Sequence, residues 1–145
     1  NKIIFYTSFC RYMVKNKSLS NEKINWLNYQ SNVKNILIRI DTNKQMAAVV
    51  VDIQHKDEEL RYLFYEQFTE LKTVFTSICG EHWQWIKECK NEAGDDCCRI
   101  TAKISNVSIF DKNSWIKIFN FYEKNLINFD TFWKEFIDLF KALED

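Results

Sequence analysis

Apolar positions along this chain switch between helical and strand periods. Phe5, Phe9, Tyr12 and Met13 recur at helical spacing, which predicts a first helix over residues 5–15. Residues 16–22 are mostly polar and read as a loop. Trp26, Leu27 and Tyr29 sit in an Asn-rich setting and read as a short strand. From residue 35 to 41 the pattern alternates strictly. Ile36, Ile38 and Ile40 take one face, and Leu37, Arg39 and Asp41 the other. Thr42-Asn43 is a turn signal, and residues 45–53 follow with Ala47, Val49, Val51 and Ile53 on one face. Together the two runs predict an antiparallel hairpin.

Asp57 is a good N-cap, with Glu58 and Glu59 in the first turn where the helix dipole favours them. The helix it opens is expected to run to Cys79 and stop at Gly80. Its stripe is Leu60, Phe64, Leu71, Phe75 and Ile78, joined by Leu63, Phe68 and Val74. A second hairpin is expected from strands over 81–90 and 97–104, with 91–96 as the turn. Setting Lys90 opposite Cys97 puts Trp83, Trp85 and Cys89 with Cys98, Ile100, Ala102 and Ile104. Gln84 and Glu88 then share the other face with Arg99, Thr101 and Lys103, and Glu88 stands opposite Arg99. Ile86 and Lys87 are each on the wrong side in that register. Two closing helices are expected, one capped by Asp111 or Asn113 and one by Asn128 or Asp130. The order α-β-β-α-β-β-α-α predicts a single α+β domain, with an antiparallel sheet of two hairpins packed against helices.

Size and composition narrow the class. A chain of 145 residues, 46% hydrophobic and 16% aromatic, can build one core without a metal or disulfide staple. No apolar run approaches the roughly 18–20 residues of a membrane span, so no membrane partner is expected. The opening five residues are too short to read as a signal peptide, and upstream residues stay open because there is no starting Met. Five cysteines, without any C-x-x-C pair and with His55 and His82 remote from a Cys pair, read as reduced, mostly buried thiols of a cytoplasmic protein. No cofactor is expected. Net charge is zero but uneven: residues 1–56 carry a net +6 and residues 57–145 a net −6. With no basic tract, two mutually attracting halves of one fold is the favoured reading.

Several mechanisms are excluded or disfavoured. Two glycines, Gly80 and Gly94, leave no room for a phosphate loop, a dinucleotide fingerprint or a serine nucleophile elbow. Cys79 and His82 are close in sequence, but Cys79 ends an apolar stripe and reads as a core cysteine. Asp41 followed by Asp52-Ile53-Gln54 resembles the carboxylate pair of metal-dependent nucleases, with Gln54 where a lysine is needed. A tight turn at Thr42-Asn43 sets Asp52 opposite about Val33, far from Asp41, so these two are metal ligands only in the alternative reading. Trp26, Tyr29, Trp83 and Trp85 are candidates for stacking on bases, but the two hairpin tryptophans fall on the apolar face. The polar sheet face, with Arg39, Arg99, Lys103 and Glu88, is the candidate partner or anion site.

The matching segments Ile24-Asn25-Trp26-Leu27-Asn28-Tyr29, Leu63-Phe64-Tyr65-Glu66-Gln67-Phe68 with Leu71-Lys72, Gly80-Glu81-His82-Trp83-Gln84-Trp85 and Arg99-Ile100 resemble a family of small bacterial domains of unknown function. Its members also occur C-terminal to restriction-endonuclease-like domains, which implies a nucleic-acid or defence setting, and no catalytic residues can be carried over from it. The leading expectation is a non-catalytic interaction module with an unknown protein partner or a second copy of itself. A homodimer is expected from the aromatic content. A divergent metal-dependent nuclease and a small anionic ligand binder are the alternatives. Nucleic acid remains a weakly supported partner.

Overall fold

A computed structural model describes residues 2–16 and 23–144. The loop expected over 16–22 lies, but for Asn16, outside the described residues. The chain runs α1 (Lys2–Met13), β1 (Ile36–Thr42), β2 (Met46–Ile53), α2 (Glu58–Glu70), α3 (Lys72–Cys79), β3 (Gln84–Lys90), β4 (Asp96–Ser105) and α4 (Lys112–Ala142). Both hairpins form, and they join through their second strands into one antiparallel sheet of order β1-β2-β4-β3. The class is α+β, as the alternation of periods predicts.

Three elements differ from the sequence pattern. Trp26, Leu27 and Asn28 form a bend and turn, not a strand; Asn28 N–H donates to Asn25 Oδ1 at 3.1 Å. The middle helix breaks at Leu71, whose N–H bonds back to Phe68 and Thr69 while α3 starts beyond it. The two closing helices are one helix of 31 residues. Asp130, expected to cap the second of them, is buried and accepts the Tyr29 hydroxyl at 2.5 Å. With that side chain occupied, and no Gly or Pro in the segment, nothing interrupts the helix.

The core lies between one face of the sheet and the helices. Ile36, Ile38, Ala47, Val49, Val51, Ile53, Cys98, Ile100 and Ala102 supply the sheet side. Helices α2 and α3 present Phe64, Phe68, Phe75 and Cys79; Leu60 and Leu63, expected on that stripe, are about two-fifths exposed. Helix α4 meets them with Phe129, Phe132 and Trp133, the Phe68 ring lying nearly parallel to Trp133 at 5.8 Å. Helix α1 packs Phe5 and Phe9 against Phe119 and Tyr122. Each large ring removed from water contributes roughly 1.5–3 kcal/mol, so this ring-rich layer is the main source of stability. Gly80 ends α3 at φ +102°, a backbone that L side chains rarely adopt, and a Cβ there would meet the His82 ring at 2.7 Å.

Candidate functional site

Because side chains alternate along a strand, the face opposite the core is assembled from the other half of the same residues. Its rows follow from the register. Leu37, Asp52, Arg99 and Ile86 lie side by side across the four strands. Arg39, Val50, Thr101 and Gln84 form the next row, and Asp41, Ala48 and Lys103 the third. Ala48 and Val50 are buried, yet neither belongs to the core cluster; they form an apolar strip on this outer face.

Charge is concentrated on Asp52. It is 2% exposed at the centre of the sheet, and Arg99 grips it with Nε at 2.7 Å and Nη2 at 3.2 Å. Arg39 Nη2 approaches the same carboxylate at 3.4 Å, and Arg39 Nη1 stands 4.0 Å from Asp41. A fork of two parallel bonds is the strongest arrangement available to a guanidinium and a carboxylate. The Asp52 hydrogen bond also raises the Arg99 pKa above its ordinary value. Two arginines and two aspartates leave the cluster neutral.

The face therefore unites Arg39, Arg99 and Lys103 but not Glu88. A bulge sets Lys87 and Glu88 of β3 against a single residue of β4, between the pairs Ile86–Arg99 and Cys89–Cys97. Arg99 stands opposite Ile86 rather than Glu88. Glu88 turns to the helix side, where it accepts the Tyr62 hydroxyl at 3.1 Å, and Lys87 lies over the Tyr62 ring. The same bulge takes up Lys87, leaves Ile86 on the outer face, and moves Cys89 there beside Cys97, with the two sulfurs 2.9 Å apart. All five cysteines are free thiols, of which Cys79, Cys97 and Cys98 are buried. Strand alternation identifies an outer face, but only the position of the bulge identifies which β3 residues reach it.

Chemically, the Nε/Nη2 edge of Arg99 is taken by Asp52, so an anion seeking a paired fork on this face would meet Lys103 and the part-exposed Arg39 instead. Asp52 is not opposite Val33 but opposite Leu37, because the hairpin turns through residues 43–45, where Asn43 Oδ1 accepts from Gln45 and Met46. Asp41 and Asp52 do approach a common point, and Arg39 occupies it. A cation between two carboxylates is what a metal would be, and here the guanidinium fills that role. The remaining candidates are inside: Trp26, Tyr29 and Trp83 are each 5% exposed, and Trp85 is half-buried. Burial pushes the Cys79 thiol up to about 12, which leaves no thiolate for nucleophilic work. His82 Nε2 is taken by Asn125 Oδ1 at 2.6 Å.

No helix of the described residues is long and apolar enough to cross a membrane. No curated protein and no solved structure matches the chain. A family model matches residues 2–137, nearly its whole length, and on that match the chain belongs to the family described as Domain of unknown function (DUF4268).

Proposed function

We propose that this domain is a non-catalytic interaction module that pairs with a second copy of itself through the outer face of the sheet. The observation that carries this reading is the apolar surface at the edges of the outer face, Leu37, 47% exposed, and half-buried Ile86, flanking Ala48 and Val50, which neighbouring side chains already cover to 3% and 4% exposure. The exposed rings expected from the aromatic content do not supply the patch, since Phe110 is the one aromatic among the large exposed hydrophobics of the described residues. A two-fold axis through the face makes a self-complementary contact. Asp41 and Lys103 flank Ala48 on opposite sides, so a two-fold there brings Asp41 of one copy towards Lys103 of the other. An apolar centre inside a charged rim is the usual composition of such an interface. The resemblance to domains found beside restriction-endonuclease-like domains supports a bacterial, cytoplasmic setting, with the dimer as an accessory to a nucleic-acid-processing or defence system.

Light scattering after size exclusion tests the pairing. The native chain should run at twice its 17.5 kDa monomer mass. Leu37→Glu and Lys103→Asp should each give monomers, and Asp41→Lys combined with Lys103→Asp should restore the dimer. A native monomer at high concentration would remove the proposal.

A further inference from the structure

A second surface lies on the helix side of the sheet, where the start of α2 approaches the β3–β4 hairpin. It is a cleft of about 580 Å³. Arg61, on the first turn of α2, lines it and is 6% exposed. A cation buried to that degree normally has a carboxylate partner, because removing a charge from water is costly unless it is paired. Arg61 has none within ion-pair distance among the described residues. Its Nη1 donates to the carbonyl oxygens of His55 at 2.9 Å and Lys56 at 3.5 Å. Nε and Nη2, the edge that makes two parallel hydrogen bonds, make no hydrogen bond among the described residues, and the guanidinium lies 5.4 Å from the centre of the Tyr62 ring.

The neighbours sharpen this. Lys90 is paired with Asp96 at 2.6 Å, and Glu88 is engaged by the Tyr62 hydroxyl. Lys56 and Lys87, both exposed and both lining the cleft, have no ion pair among the described residues. Three cations without ion pairs thus face two carboxylates, Glu58 and Glu88. The charge of Arg61 is also felt around it. It helps to hold Asp96 below the usual carboxylate range, after the larger effect of Lys90.

We propose that this cleft binds the phosphoryl group of a small anionic ligand. Arg61 Nε and Nη2 supply the two parallel bonds, and Lys56 and Lys87 supply the remaining charge. Phosphate fits better than carboxylate because a second negative charge uses the lysines as well as the fork. The cleft volume falls within the range of small-molecule sites, with room for more than the head group. The cleft reaches Cys89 and Cys97 but includes none of Leu37, Asp41 and Lys103, the residues that test the self-association face, so each reading can fail without the other.

Calorimetric titration with pyrophosphate at balanced ionic strength tests it. The native protein should show saturable one-to-one binding. Arg61→Met and Arg61→Lys should each weaken it by about tenfold or more, since neither replacement makes the paired bonds. Lys87→Ala, which alters an exposed side chain, should weaken it too and carries the test if the Arg61 variants do not fold. Lys124→Ala, on an exposed part of α4, should bind as the native protein does. Absence of native binding, equal loss in Lys124→Ala, undiminished binding in both Arg61→Lys and Lys87→Ala, or equally tight binding of glutarate would each overturn the proposal.

Discussion

Asp52 and Arg99 stand opposite each other on β2 and β4, and their side chains join by two hydrogen bonds at the seam between the two hairpins. This contact is the polar lock of the sheet. Asp52 is almost fully buried, whereas the Arg99 side chain is 21% exposed, so the two partners are not equivalent. Losing Arg99 strands a buried carboxylate; losing Asp52 leaves two arginines that can turn towards water. Arg99→Ala should cost about 3 kcal/mol and Asp52→Ala about 2–3 kcal/mol. Arg39→Ala, longer and nearer the surface, should cost under about 1 kcal/mol. Urea unfolding measures all three, and an Arg99→Ala loss no larger than that of Arg39→Ala would show that the fork contributes little.

Tyr29 holds the buried Asp130 carboxylate, 101 residues away in sequence, at 2.5 Å. Burial, and then that hydrogen bond, raise the Tyr29 pKa well above its ordinary value, so the phenol stays protonated and donates. Tyr29→Phe keeps the ring but leaves Asp130 without its donor. The expected loss is about 1–3 kcal/mol, read as a fall in midpoint denaturant concentration. Asp130→Asn combined with Tyr29→Phe should recover part of it, because the buried group is then uncharged.

Cys89 and Cys97 place their sulfurs 2.9 Å apart across β3 and β4, against about 2.05 Å in a disulfide. The Cys97 thiol is pushed up to about 12 by burial first and then by the Cys89 and Asp52 contacts, so it does not ionise readily. The half-buried Cys89 is the sulfur a reagent reaches. Denatured, reduced protein should titrate as five thiols. After treatment with diamide, which takes up the two electrons and two protons released, it should titrate as three. Peptide mapping should find a Cys89–Cys97 link, and Cys89→Ser should abolish it. A link elsewhere in the oxidised protein would contradict the geometry.

His55 is buried, stacked on Phe64 at 4.3 Å, and its Nδ1 has no hydrogen-bond partner. Burial lowers its pKa below the usual 6.5. The unfolded chain therefore takes up a proton at higher pH than the folded one does. Stability contributed by neutral His55 is complete above about pH 6.5 and falls as pH drops towards the folded value. Thermal unfolding of the native protein should decline between pH 7 and pH 5 more steeply than that of His55→Gln, which has no titration in this range. Parallel declines would assign the pH dependence to other groups.

Local patterning carried much of this structure. A strand's period of two decides which side chains share a face before any partner strand is known, so Arg39 opposite the isoleucines, and Arg99 with Thr101 and Lys103, were legible as a polar side. The helical period and the Asp57 cap likewise placed the start of α2, where Asp57 Oδ1 accepts from Glu59 N–H at 2.9 Å. Pairing between remote segments is not written in such periods. The union of β2 with β4 sets Asp52 between two arginines. The bulge at Lys87 and Glu88 exchanges Glu88 for Cys89 on the outer face. The Tyr29 contact takes Asp130 from a cap into the core and leaves α4 continuous. Arg61 looks like an ordinary surface residue of a helix until the hairpin closes over it. In each case the deciding energy comes from burial and hydrogen bonds between residues far apart in the chain, which local patterning does not contain.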